Sequence, residues 1–180
     1  MRYHISKGKF YPTGIDFGVH FGRVNQTYKV RFDSSCLYDD TLDWERDWNK
    51  LVGWSYSNLP FTDEKGKWQA PHHKNSVRFA WRSNKALGVI ELAFYYYQDG
   101  MRYHVDLCSV PVDQELVLSI ILTKQFATIV VVCKEANLSF VKPVTLSHAF
   151  KAIWSYKLYP YFGGTYPAWQ ACKIDITEVP

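Results

Sequence analysis

The chain predicts an all-β protein: an antiparallel jelly-roll β-sandwich carrying one short helix. Three observations predict it. Apolar and polar residues alternate with period two in segment after segment, Gly-, Pro- and Asn-rich turn signals separate those segments at short intervals, and strands never alternate with long helical stretches. Counting the segments yields about nine or ten strands, which suits a sandwich better than a closed barrel with its evener strand lengths.

Composition narrows the class. The 180 residues set the length of one domain, 1–180, and an aromatic content of 17% supplies a core that needs no staples. No apolar run reaches the roughly 18 residues that span a membrane. Lys plus Arg number 21 against 17 Asp plus Glu, and the basic residues are scattered, so the net charge of +4 is no nucleic-acid signature. That excess describes an ordinary solvated surface, and it would help attract an anionic glycan. Cys36, Cys108, Cys133 and Cys172 lie far apart without Cys-x-x-Cys spacing. They argue against zinc and read as reduced, part-buried thiols, with two disulfides arithmetically open. No cofactor is expected, and a structural Ca²⁺ stays open. Met1 to Phe10 has no apolar segment of secretory length. The expected locations are therefore the cytoplasm, the exterior after removal of a signal, or a virion released by lysis.

Taken in order, Ile15, Phe17, Val19 and Phe21 alternate with Asp16, Gly18 and His20 as a half-buried strand, and Tyr28, Val30 and Phe32 alternate with Lys29 and Arg31 in a second. The two form a hairpin or a pair crossing between sheets. Over 41–52 the period changes. Trp44, Trp48, Leu51 and Val52 fall at helical spacing, with Asp40 or Thr41 as cap and Asp43 and Glu45 in the first turn, which predicts the helix. Residues 58–75 are a polar loop holding Asp63-Glu-Lys-Gly-Lys and the pair His72-His73, and loops of that length are often functional. Adjacent histidines point to opposite sides of an extended chain, which argues against a shared metal.

Ser76 to Arg82 is the next strand, with Val77, Phe79 and Trp81 on one face and Arg78, Ala80 and Arg82 on the other. A hairpin from Leu87 to Pro111 follows, turning at Asp99-Gly100, a dipeptide that suits a two-residue turn. That turn pairs Tyr97 with Arg102, Tyr96 with Tyr103, Tyr95 with His104, Phe94 with Val105, Ala93 with Asp106 and Leu92 with Leu107. One face then carries Leu92, Phe94, Tyr96, Tyr103, Val105 and Leu107 as core; the other carries Glu91, Tyr95, Tyr97, Arg102, His104 and Asp106. Glu115 to Leu122 and Phe126 to Lys134 are β-branched strands expected to be covered on both faces. Ala152 to Tyr159 is a strand stopped by Pro160, and Lys173 to Thr177 alternates once more.

Three segments look familiar together. Asp47-Trp-Asn-Lys-Leu-Val-Gly-Trp-Ser, His72-His-Lys-Asn-Ser-Val-Arg-Phe-Ala-Trp-Arg and Tyr156-Lys-Leu-Tyr-Pro-Tyr-Phe-Gly-Gly resemble a family of small β-sandwich proteins from gut bacteria. That family is similar to the concanavalin A-like lectin and glucanase superfamily. The resemblance spans residues 40–180 and implies a jelly roll with one curved sheet, whose concave outer face is where the superfamily binds sugar chains. It departs from the pattern after Gly163-Gly164: Thr165-Tyr-Pro-Ala-Trp-Gln stands where an acidic residue and Ala-Pro-His-Asp are expected. The resemblance therefore assigns that loop no ligand or metal role.

The outward row Tyr95, Tyr97, Arg102, His104 and Asp106, with Arg78 and Arg82 alongside, is the candidate ligand-binding surface. Aromatic faces stack on sugar C–H surfaces while charged groups make oriented hydrogen bonds to hydroxyls or carboxylates. The leading expectation is a non-catalytic, lectin-like carbohydrate-binding module. The bland alternative is that these side chains are cross-strand partners that stabilise a sheet, or an interface of a homo-oligomer or of a phage surface or tail protein. A polysaccharide lyase using Tyr95 or His104 as base and Arg78 against a uronate comes third, without the Gln-Ile-His or Tyr-Phe-Lys motifs of such enzymes. A glycosidase using Glu91 and Asp106 lacks the expected Glu-x-Asp run. No catalytic residue and no metal ligand is assigned.

Overall fold

The computed structural model describes residues 1–13, 18–21, 25–39, 47–56, 59–123, 126–146, 154–163 and 166–179. Among them the strands are, in chain order, β1 (Arg2–Ile5), β2 (Val19–Phe21), β3 (Asn25–Phe32), β4 (Asn49–Ser55), β5 (Phe61–Thr62), β6 (Trp68–Gln69) and β7 (Ser76–Asn84). There follow β8 (Val89–Gln98), β9 (Met101–Pro111), β10 (Leu116–Leu122), β11 (Phe126–Cys133), β12 (Leu138–Thr145), β13 (Trp154–Leu158) and β14 (Cys172–Val179). The first sheet runs β1-β14-β3-β10-β11-β12 and the second β2-β13-β4-β7-β8-β9, every pairing antiparallel. This is an antiparallel jelly-roll β-sandwich. The strands at 19–21 and 25–32 are the sheet-crossing pair, one in each sheet.

Alternation builds the core as the pattern demands. Tyr28, Val30 and Phe32 from the first sheet meet Trp54, Phe79, Trp81, Leu92 and Phe94 from the second, all buried, while Lys29 and Arg31 stay in water. Burying side chains of this size, about 1.5–3 kcal/mol each, is what holds the sheets face to face. The thiols of Cys36, Cys108, Cys133 and Cys172 are free, and that of Cys36 donates to the Lys173 carbonyl at 3.2 Å.

The hairpin of β8 and β9 keeps its expected register from Gln98↔Met101 to Ala93↔Asp106. Its turn has positive φ at both positions, 52° at Asp99 and 85° at Gly100, the geometry that favours Asp-Gly. Beyond Ala93 a bulge in β9 shifts the register to Glu91↔Ser109, so Leu92 no longer faces Leu107 alone. The core row also fades at this edge strand: Tyr103 is 42% exposed and stacks on Tyr96.

Several expectations change. The helix over 41–52 is not present where the structure describes it: residues 49–52 are strand, and 40–46 lie outside the described residues. The cause is a bulge in β4, where Leu51 and Val52 together oppose Phe79. Two consecutive residues then face the core, and an interrupted period of two imitates a period of 3.6. The 58–75 loop contains the small hairpin β5–β6, whose turn Asp63 holds by accepting the amides of Lys65 and Lys67, and a 3₁₀ turn at Pro71–His73. β10 and β11 are covered on one face only, with Val117, Ser119, Thr128 and Val130 half-exposed opposite a buried row. Phe21, expected inward, is 74% exposed.

Candidate functional site

A groove of about 590 Å³ opens on the outer face of the second sheet. Its floor comes from β7, β8 and β4, and the bulge is what lets β4 supply it. Gly53 stands opposite Arg78, and a Cβ there would lie 2.1 Å from the Val77 carbonyl oxygen and 2.4 Å from the Arg78 Cβ. Only glycine permits β4 to lie so close against its neighbour β7 at this bulge.

Arg78 lies at the bottom, 8% exposed. Its Nη2 donates to the carbonyls of Leu51 at 3.0 Å and Tyr159 at 2.7 Å, while its Nε has no acceptor among the described residues. Burial pulls this guanidinium down to about 10, which still leaves it charged at neutral pH. Cross-strand pairing places Tyr95 beside it and Tyr97 beside Ser76. Tyr95 is 4% exposed, its ring edge-on to Tyr97 at 5.9 Å, its hydroxyl bonded to Arg102, and burial pushes its phenol up. The Lys50 ammonium sits 4.8 Å over the Tyr95 ring and donates to the Trp48 carbonyl at 2.6 Å. Burial, then repulsion from Arg78, lowers Lys50 to about 8, with Asp47 opposing.

Two segments wall the groove. On one side the 3₁₀ turn folds His72 and His73 together, rings 4.3 Å apart, because the chain is not extended there. The expectation that they point apart is thereby corrected. His72 donates its amide to the Tyr156 hydroxyl at 3.0 Å and sets Nδ1 3.1 Å from the same oxygen; His73 lies against Tyr97. Burial lowers both imidazoles, His72 to about 3, so both rings are neutral at pH 7. On the other side Tyr161 pairs its backbone with Lys50 and sets its ring against Phe10 and Tyr11. Phe162 turns the opposite way, into the core. Gly163, at φ 68°, donates its amide to Asn49 at 2.5 Å. Among the described residues, no Asp or Glu lines this groove and no three His, Cys, Asp or Glu side chains gather as a metal site.

The structure thus brings Arg78, Tyr95, Tyr97 and Arg102 together in the groove and places Arg82, His104 and Asp106 outside it. Arg82 bonds Glu91 at 2.5 Å and lies 4.4 Å over the Trp48 ring. His104 packs its ring 5.9 Å from the same Trp48 and lies 3.8 Å from Asp106. Lys50, Tyr156 and Tyr11 are not expected at a site from sequence; His72 and His73 stand in the loop read as functional, and the aromatic Tyr161-Phe-Gly-Gly segment reads either as a groove rim or as a turn that plugs the end of the sandwich. Most had a signal, since two of the segments carrying the family resemblance, 72–82 and 156–164, supply opposite walls. Lys50 was hidden by the helical misreading, and nothing marked Tyr11.

No protein-family model and no curated protein sequence matches the chain. Solved structures do match in fold. The alginate lyase from Klebsiella pneumoniae superposes with a TM-score of 0.57 at 9% identity over 86% of this chain, which spans only 59% of that enzyme's length. The CBM2 module of the evolved Dit of Lactobacillus casei BL23 phage J-1 superposes with a TM-score of 0.51 at 10% identity, covering 98% of this chain and 74% of that one. No helix among the described residues is long and apolar enough to cross a membrane. At these identities the matches establish architecture alone: the chain shares a β-sandwich fold with a polysaccharide lyase and a phage carbohydrate-binding module.

Proposed function

We propose that the protein binds carbohydrate in the groove on the second sheet. One observation carries the reading: a recess of about 590 Å³ walled by the rings of Tyr11, Tyr97, Tyr156 and Tyr161 has cationic donors at its base. Rings supply apolar area for the C–H faces of a sugar, and Arg78, Arg102 and Lys50 supply directed donors for its oxygens. A glycan array with the Tyr97→Ala variant tests it. Wild type binds, and the variant, losing an accessible wall rather than core, weakens by about tenfold or more. Failure of wild type to bind any glycan, or equal binding by the variant, overturns the reading.

A lyase acting on a uronate is the second reading, favoured by the 3.1 Å contact between neutral His72 and the Tyr156 hydroxyl within the same recess as Arg78. An unsaturated uronate product absorbs in the ultraviolet, and its absence across a polyuronate panel removes this reading.

A further inference from the structure

We infer that the floor of the groove is a subsite for an anionic group of an acidic saccharide, held by Arg78 with Lys50 and Arg102. The inference rests on the carbohydrate reading and names the class of sugar.

Among the described residues Arg78 is a charge without a counter-ion. Its Nη2 donates to two neutral carbonyls, and among the described residues its buried Nε has no acceptor and no carboxylate lines the recess. Bracing two carbonyls does not require a cation; a neutral amide would serve. A buried charge left unpaired costs several kcal/mol, so a guanidinium in this position destabilises the empty groove unless something else compensates it. Lys50 and Arg102 add to that cost. Both line the same recess, Lys50 repels Arg78 directly, and Asp47 is the carboxylate that offsets Lys50 and Arg102. Among the described residues, Arg78, Lys50 and Arg102 share one nearby carboxylate, Asp47, while the fourth cation of the lining, Lys157, is paired with Glu178; that surplus of positive charge is what an incoming anion relieves. The histidines do not share the role, because both are held neutral.

The tyrosines fix what carries the anion. A free inorganic ion needs only the floor, but the floor lies beneath rings from three directions, Tyr97 on β8, Tyr156 on β13 and Tyr161 beyond it. A sugar ring bearing a carboxylate or a sulfate reaches Arg78 with its charge while its C–H faces meet those rings. Carboxylate and sulfate share this chemistry, so the experiment separates them.

The test is calorimetric titration of the full chain with oligogalacturonate, with the same oligosaccharide after reduction of its carboxyl groups, and with a sulfated galactan. The expected result is binding of one or both acidic ligands at least about tenfold tighter than the reduced one, with the tighter of the two identifying the anion. Lys50→Gln and Arg102→Gln each weaken the acidic ligand severalfold. Arg31→Gln, which removes the same charge from the first sheet, does not. Arg78→Gln abolishes the preference, with its melting curve recorded because Arg78 also braces β4; if that variant unfolds, the Lys50 and Arg102 variants decide. Equal binding of the acidic and reduced oligosaccharides overturns the subsite and leaves the carbohydrate reading standing. A loss of affinity on Arg31→Gln equal to that on Lys50→Gln also overturns the subsite, because attraction is then diffuse. Binding of none of the three ligands, with no rise in melting temperature on adding D-glucuronate or inorganic sulfate, overturns it as well. If neutral glycans bind on the array in that case, the carbohydrate reading survives alone.

Discussion

The outer face of the second sheet has two halves that share strands and alternation yet differ in one respect. Around Arg78, Tyr95 and Tyr97 the cations face a walled recess that no carboxylate among the described residues lines. Around Arg82 and Glu91 the charges are already paired: Arg82 lies on Glu91 and Asn84 bonds the second Glu91 oxygen at 2.8 Å, while His104 and Asp106 stand 3.8 Å apart at the exposed edge. Trp48 underlies this second half, with Arg82 over its ring and His104 beside it. Strand pattern alone makes these halves equivalent. What separates them is the segments laid over the sheet and the carboxylates each half holds.

The largest effect comes from removing the geometry that the groove half depends on. Gly53→Ala places a methyl 2.1 Å from the Val77 carbonyl oxygen, a backbone atom that cannot swing aside. Relief requires β4 and β7 to separate, so the variant loses about 3 kcal/mol or more of stability. Glycan binding falls further than the remaining folded fraction explains, since Arg78 moves with β7. Urea unfolding together with calorimetry checks both. A variant as stable as wild type would mean that β4 does not lie this close to β7.

A smaller effect is a pH dependence specific to the groove half. Lys50 is lowered to about 8 by burial first and by Arg78 second, with Asp47 and Arg102 also acting on it from beside β4 and from β9. A bound anion raises that value, so binding takes up a proton wherever free Lys50 is deprotonated. Affinity for an acidic saccharide is therefore level below about pH 7 and falls above about pH 8, by at most about tenfold per pH unit for one linked proton. The neighbours do not blur the window. Arg78, at about 10, stays charged through it, Tyr95 is raised and stays neutral, and His73 is lowered and stays neutral. Titration calorimetry from pH 6 to pH 9 reads the curve, and Lys50→Gln flattens it. Strengthening between pH 7 and pH 5 would instead assign the anion to the histidines.

The two halves also show what the sequence makes legible. Alternation and Asp99-Gly100 were enough to pair Tyr95 with His104 and Tyr97 with Arg102 and to put Leu92 and Phe94 in the core, because register and face follow from a local turn and a period of two. Leu51 and Val52 defeated the same logic. A bulge puts consecutive residues on one face, and the extra residue is set by the partner strand rather than by its own neighbours. Lys50 went with them. The split between the halves was illegible for a related reason: whether Arg78 or Arg82 is covered depends on where residues 71–73 and 159–163 return after long excursions. Glu91 shows the limit. Its side chain was legible as outward, but its capture by Arg82, one strand away, required the register and both rotamers.

The smallest effect is the most discriminating. Glu91→Gln removes the carboxylate that occupies Arg82 and so gives the second half an unneutralised cation like that of the first. The pair is partly exposed, so stability falls by about 1 kcal/mol or less. If uncompensated charge alone made a site, this variant would gain affinity for acidic saccharides. It gains none, because Arg82 lies over the Trp48 ring on the sheet surface and outside the recess walled by Tyr97, Tyr156 and Tyr161. His104→Ala on the same half likewise leaves affinity unchanged. Titration of both variants with oligogalacturonate decides the matter. A gain for Glu91→Gln or a loss for His104→Ala would extend the site across Trp48 and make the two halves one surface.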